Sequence, residues 1–347
     1  MEYAKPRYSR EEVDRAGDIL ISTLDPDALG EALAVVNNWR SSHAYPLNTF
    51  QMTLRDRARQ VDAQPIVSQR IKRMSAITEK LNRYSFKLSE MQDIGGCRAV
   101  VSTVHEVYRL ARIYEERQSH WNHTLDDQRD YIKEPKARSG YRGIHLIYRH
   151  ASRMHPDFNG HKIEIQLRSQ LQHTWATAVE TADVFLRQGL KVSRGPEDWT
   201  RFFILMGSAI AYIEGCKPVP RTPADRKELI AEIERFAEQL EIMTKFRSWG
   251  QALKIVENSP NALKKAHYLV LVLDPRNNSI AAWGYKAAQS EAATEQYLLL
   301  EKNKPEGGDV VLVSVEHAAD LQRAYPNYFL DTNAFVELVA RVMRDRA

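Results

Sequence analysis

The segment Lys162-Ile-Glu-Ile-Gln-Leu-Arg168 alternates apolar and polar side chains without interruption after its first residue. A β-strand turns a period of two into two faces, so Ile163, Ile165 and Leu167 face a core while Glu164, Gln166 and Arg168 share the other side. The chain must therefore build a sheet around this strand. An acid, an amide and a guanidinium in a row are then either an ordinary solvated face or a chemical one. Cys97 to Val101 and Gly143 to Arg149 read as further strands, and His105 to Arg117 as a helix. Leu171, Trp175, Ala178, Ala182 and Phe185 keep one apolar stripe at helical spacing after the alternating strand, and Trp199 to Ile213 reads as a second, largely buried helix.

Upstream, Ser9-Arg-Glu-Glu12 has capping-box spacing, and Leu47, Phe50, Leu54, Ala58 and Val61 mark a proline-led helix. The first seventy residues thus read as mostly helical. Downstream, Thr222-Pro-Ala-Asp225 reads as an N-cap followed by proline at the first helical position, opening a long helix to about Val256. Asn258-Ser-Pro-Asn261 breaks it, and YLVLVLD, SIAAWGY and DVVLVSV then read as strands with helices between and after them. The expected fold is α/β in the α+β sense. A mixed sheet flanked by helices occupies residues 1–222, a helical connector 223–260 and a small C-terminal α+β domain 261–347.

Composition narrows the function classes. With 43% hydrophobic and 27% charged residues in 347, the chain is ordinary globular protein, neither fibrous nor wholly disordered. A net charge of +4 does not demand nucleic acid, so any anion site must be local. Cys97 and Cys216 lack the paired spacing of a zinc or redox site. The N-terminus has no apolar signal region and no stretch reaches the ~20 apolar residues of a membrane span, so a cytoplasmic protein without a membrane partner is expected.

Three stretches carry candidate chemistry. Asp93-Ile-Gly-Gly-Cys-Arg98 places a carboxylate before a glycine pair and an arginine at the mouth of a strand. Mg²⁺ held with a nucleotide takes one or two protein carboxylates plus phosphate oxygens, so Asp93 and Glu164 together would suffice. Arg70, Lys72, Arg73, Ser75, Lys80 and Arg83 gather cations and a hydroxyl within a few turns of expected helix, which suits a triphosphate or is a solvated basic face. The loop from Asp130 to His145 combines Lys133, Lys136, Arg138 and Arg142 with Tyr131, Tyr141 and His145, cations for phosphates beside rings for a base.

RIKRMSAITEKL, DIGGCR, DYIKEPKARSGYRGIH and KIEIQLRSQLQHTWA follow in the order, and at about the distances, of the motifs in RelA/SpoT synthetases. The segment from about Gln69 to Asp183 resembles the catalytic core of that family. The resemblance implies a pyrophosphokinase that moves the β,γ-pyrophosphate of ATP onto a ribose 3′-hydroxyl. It implies that Arg70, Lys72, Ser75, Lys80 and Arg98 line the ATP pocket, and that Asp93 and Glu164 are the catalytic carboxylates holding Mg²⁺. It also places Lys136, Arg138, Tyr141, Arg142, His145 and Gln166 against the acceptor, with Tyr141 stacked on its base. Glu164 could also accept the hydroxyl proton; His173 is either a further acceptor residue or a structural histidine. Ser139 stands where the family often has Asn, and Gly143 where Ser or Thr is common, which leaves the acceptor open between GDP or GTP and the 3′ end of tRNA.

The whole arrangement, ending in Ala324-Tyr-Pro-Asn-Tyr-Phe329, resembles the CapRel fused toxin–antitoxin proteins. That likeness implies that the segment bearing Tyr325 and Tyr328 covers the ATP site until a phage capsid protein binds the C-terminal module. It further implies pyrophosphorylation of the tRNA CCA end, which blocks translation. Guanosine alarmone synthesis is the alternative.

Overall fold

The computed structural model describes residues 3–23, 25–189, 196–258, 266–274, 279–303, 309–314 and 328–345. They fall into two compact units, Met1–Glu134 with Arg142–Gln170, and Pro135–Tyr141 with Leu171–Ala347. Composition suggests divisions near 222 and 260; compactness parts the chain after Gln170 and lends one loop tip to the second unit.

The first unit runs α1 (Arg10–Ser22), α2 (Pro26–Ser42), α3 (Ala44–Ala58), β1 (Ile66–Ile71), α4 (Met74–Arg83), β2 (Gly95–Val101), α5 (Val104–Glu116), β3 (Thr124–Asp130), β4 (Ile144–Arg149) and β5 (Lys162–Ser169). The strands form one mixed sheet in the order β1-β2-β5-β4-β3, in which only β2 and β5 are parallel. The capping box forms as its spacing requires: the Glu12 amide donates to Ser9 Oγ at 3.2 Å and the Ser9 amide to Glu12 Oε2 at 2.7 Å. Leu47, Phe50, Leu54 and Ala58 are buried on α3, which packs with α5 against the sheet. Cys97, Ala99, Ile163, Ile165 and Leu167 are the strands' contribution to that core. A second core joins Val13 and Ala16 of α1, Val36 and Trp39 of α2, Ile77 and Leu81 of α4, and Leu88 and Ile94.

Two strands escape the sequence pattern, β1 and β3, and both lie at sheet edges. An edge strand has one neighbour and one half-wet side, so IVSQRI and TLDDQRD carry no clean alternation. Arg70 consequently sits on a strand and not on the basic helix expected there.

The second unit contains α6 (Gln170–Gly189), α7 (Pro196–Ile213), α8 (Arg226–Gln239), α9 (Ile242–Asn258), β6 (Tyr268–Asp274), β7 (Ser279–Tyr285), α10 (Ser290–Lys302), β8 (Asp309–Ser314) and α11 (Tyr328–Arg344). Its helices enclose an aromatic core that includes Trp175, Phe185, Trp199, Phe202, Phe246, Trp249 and Phe335. The antiparallel sheet has the order β7-β6-β8. Leu269 and Leu271 of β6 join the aromatic core, while Val270 packs with Ala293 and Tyr297 of α10. Burial on both faces is why YLVLVLD is a continuous apolar run.

The single helix expected from Thr222 to Val256 is two helices, α8 and α9, because Glu241 between them takes a left-handed φ of 52°. The cap is Asp225, whose Oδ1 accepts from the Glu228 amide at 2.9 Å; Thr222 Oγ1 instead donates to the Val219 carbonyl at 2.7 Å. The Tyr-x-x-Tyr segment lies outside the described residues except for the Tyr328 backbone that opens α11. Among the described residues no helix is long and apolar enough to cross a membrane.

The tip of the 131–143 loop depends on glycine. Gly140 has φ of 77°, and a Cβ there would come within 3.0 Å of the Ile204 Cα and 3.1 Å of the Phe203 carbonyl on α7. Left-handed backbone and a clash with main-chain atoms add, so Gly140→Ala should cost roughly 2–3 kcal/mol. Urea unfolding of the variant checks this; an unchanged midpoint would mean that the tip is not held against α7.

Candidate active site

Cross-strand register assembles one polar face on the first unit's sheet. Gly96 pairs with Arg70 on one side and Glu164 on the other, Arg98 pairs with Gln166, and Gln166 with His145. Paired residues point the same way, so Arg70, Arg98, His145, Glu164 and Gln166 project from a single face. Gly96 lies within it, where even a Cβ would stand 4.0 Å from Glu164 Oε2. The missing side chain keeps the approach to that carboxylate open.

Asp93 occupies the turn entering β2. Its Oδ2 is 2.9 Å from Lys72 Nζ and its Oδ1 2.9 Å from Lys80 Nζ, so both oxygens are clamped by ammonium groups. All three side chains are partly buried, at 16%, 21% and 30% exposure for Lys72, Asp93 and Lys80, which shields the pairs from screening. The Lys72 backbone is fixed from both sides. Its amide donates to the Ile94 carbonyl at 2.7 Å, and its carbonyl accepts from Arg40 Nε at 2.9 Å. Arg40 gives no sign of this in the sequence, because it comes from α2.

Glu164 has its own partners. Oε1 lies 2.9 Å from His145 Nδ1, and Oε2 accepts from Gln166 Nε2 at 2.7 Å. The Arg168 guanidinium in turn donates to Gln166 Oε1 at 2.9 Å, which fixes the amide's orientation. Burial pushes the Glu164 carboxyl up, but His145, Gln166 and the charge of Lys80 outweigh it and bring it to about 2. Lys80 therefore acts on both carboxylates, and this links Asp93 and Glu164 electrostatically. Tyr131 sets its ring edge-on to His145 at 5.2 Å between centroids.

Other expected site residues are distributed as follows. Arg70 and Ser75 are exposed on β1 and α4. Arg142 belongs to the first unit, is 2% exposed and donates to the Ile132 carbonyl at 3.0 Å, within its own loop. In the second unit, Lys136 Nζ lies 5.4 Å from the Tyr141 ring centre, a cation–π distance, and Tyr141 meets Trp175 at 6.3 Å. Arg138 is exposed and His173 buried.

Among the described residues no three His, Cys, Asp or Glu side chains cluster as a complete metal cage. Asp93 and Glu164 are nonetheless hard oxygen donors of the kind Mg²⁺ takes when a ligand's phosphates complete its shell. Two cations around a carboxylate at the entry to β2 are groups that an anionic ligand can engage.

Residues 69–185 match the family described as the region found in RelA / SpoT proteins. GTP pyrophosphokinase YjbM of Bacillus subtilis is 36% identical over 121 residues, 33% of this chain and 56% of the relative. GTP pyrophosphokinase YwaC of the same organism is 27% identical over 114 residues, 31% of this chain and 52% of the relative. The chain thus spans about half the length of these curated relatives. The crystal structure of small alarmone synthetase 1 from Bacillus subtilis, bound to its product pppGpp, is 26% identical with a TM-score of 0.43, covering 52% of this chain and 92% of that one.

Proposed function

We propose that the chain is an ATP-dependent pyrophosphokinase whose acceptor is the 3′-hydroxyl of the tRNA CCA end. The observation that carries the donor half is the pair of lysines on Asp93, one of which also acts on Glu164. A triphosphate entering this site offers Lys72 and Lys80 new anionic partners, and their ammonium groups exchange the carboxylate for phosphate oxygens. Asp93 and Glu164 would then be left as the carboxylate donors for Mg²⁺. The metal, when bound, would neutralise charge on the phosphate oxygens.

In the reaction the acceptor 3′-oxygen bonds to the β-phosphorus, the bond from that phosphorus to the α,β-bridging oxygen breaks, and AMP leaves with that oxygen. The hydroxyl proton goes to water or a nearby base. A carboxylate held near 2 is a weak proton acceptor, so the role of Glu164 is charge and orientation more than general base catalysis. His145 fixes its direction. Arg70 and Arg98, on one face of adjacent strands, are suited to the donor's adenine, and the planar guanidinium can stack on it. Tyr141 with Lys136 offers a ring and a cation for the acceptor.

The resemblance to fused toxin–antitoxin proteins supports tRNA as acceptor, a role in phage defence, and inhibition by the segment containing Tyr325 and Tyr328 until a phage capsid protein binds. The second reading, GDP or GTP as acceptor, is favoured by the relatives named GTP pyrophosphokinases. Incubation of the activated enzyme with ATP labelled at the γ-phosphate and either tRNA or GDP separates them. Label on tRNA is expected; label confined to a guanosine nucleotide would remove the tRNA reading.

A further inference from the structure

Two routes leave Asp93 in the first unit. One crosses Gly96 along the sheet toward Arg98, the place suited to the donor's base. The other runs along α4. Lys80 Nζ, 2.9 Å from Asp93 Oδ1, stands 5.7 Å from the Phe86 ring centre. Phe86 and Tyr84 are stacked, with centroids 5.9 Å apart and planes 14° from parallel, and the Arg83 guanidinium lies 5.6 Å from the Tyr84 centre. The backbone produces this ladder. α4 ends at Arg83, Tyr84 is extended with φ of −133°, and the Phe86 amide donates to the Tyr84 carbonyl at 3.1 Å, a tight turn that brings the two rings together.

Burial along the ladder is graded. Phe86 packs against the core of α1, α2 and α4, whereas Tyr84 is 50% exposed. The anchored ring holds the exposed one parallel. Lys87, the next cation, is exposed and already paired with Asp18 at 2.7 Å. Exposed aromatics flanked by arginine and lysine suit unpaired nucleotides, whose bases stack on the rings and whose phosphates meet the cations. A mononucleotide acceptor has one base and no use for a second shelf. A single-stranded RNA end has further bases.

Building on the tRNA reading above, we infer that Tyr84 and Phe86 form a stacking platform for unpaired RNA bases next to the nucleotide that receives the pyrophosphate. The platform makes the acceptor a polynucleotide by preference, through stacking and without base-specific hydrogen bonds.

Tyr84→Ala and Tyr84→Trp test it, because a half-exposed residue beyond a helix end can change without loss of the core. Binding of a fluorescent single-stranded RNA ending in CCA is read by anisotropy, and binding of ATP by calorimetry. Tyr84→Ala should weaken RNA about tenfold, within the ~1–3 kcal/mol of one base–aromatic stack, and Tyr84→Trp should restore it. The loss should fall on RNA and not on ATP. Equal RNA binding by parent and Tyr84→Ala overturns the platform, as does a loss confined to ATP, which would give the rings to the donor's base. Labelling assays on the parent keep the two ideas apart: tRNA labelled by an enzyme whose Tyr84→Ala variant binds RNA normally removes only the platform. An enzyme that labels GDP alone removes the tRNA reading and the platform with it.

Discussion

Asp93→Asn is expected to lower pyrophosphate transfer by about a thousandfold while the protein stays folded. Asparagine keeps the shape of the side chain and removes its charge. Two ammonium groups, each 2.9 Å from a carboxylate oxygen, then face each other without an acid, and one of the two oxygen donors suited to Mg²⁺ is lost. Groups that stabilise charge in a transition state typically cost 10²–10³ in rate when one is removed, and loss of metal affinity adds to that. The measurement is kcat/KM for ATP with a thermal melt as control. Activity within tenfold of the parent, with an unchanged melt, would mean that the lysine-clamped acid is structural. Glu164→Gln offers a contrast, since it also removes the partner of His145.

Acid should unfold the first unit between about pH 6.5 and 4, a consequence of four buried histidines. His43, His123, His150 and His161 are between 1% and 6% exposed. They lie in facing pairs, His43 and His161 at 4.5 Å between centroids and His123 and His150 at 4.9 Å. Burial lowers all four, and a neighbouring histidine lowers each of them further. His123 and His161 fall to about 4. Geometry agrees for His123, whose Nδ1 accepts from the Ala151 amide at 3.0 Å and must be unprotonated to do so.

A folded value below the unfolded one of about 6.5 means that the unfolded chain binds the extra protons. The stability contributed by neutral burial is therefore complete above pH 6.5 and is lost as pH falls toward 4. Each of His123 and His161 contributes on the order of 3 kcal/mol, a large share of the 5–15 kcal/mol typical of a domain. Glu164 is also depressed, so its contribution is complete above about pH 4.5 and is lost as pH falls from there toward about 2, mostly below this window. Trp39 and Trp121 lie 4.7 Å from His161 and His123, so tryptophan fluorescence reports the transition directly. A midpoint below pH 4, unmoved in a His123→Phe variant, would assign acid unfolding to carboxylates.

The ends of several elements and the two faces of the central strand were legible in the chain itself. Alternation in Lys162–Arg168 placed Ile163, Ile165 and Leu167 in the core and Glu164 and Gln166 on the opposite face, because strand geometry fixes a period of two whatever surrounds it. Ser9 and Glu12, and the apolar spacing of α3, are equally local. Local pattern misled where tertiary context overrode it, at the Glu241 break and at the edge strands β1 and β3.

By itself the sequence determined which charged and polar residues share a strand face, since residue type and strand parity are written in it. Only the tertiary structure decided which of them meet: Lys72 and Lys80 on Asp93, His145 on Glu164, Arg40 behind Lys72, Arg142 turned inward to hold its own loop. Apart from that of Arg142, those contacts join segments well separated in the chain. Their register is set by how whole elements pack, and no local periodicity encodes that.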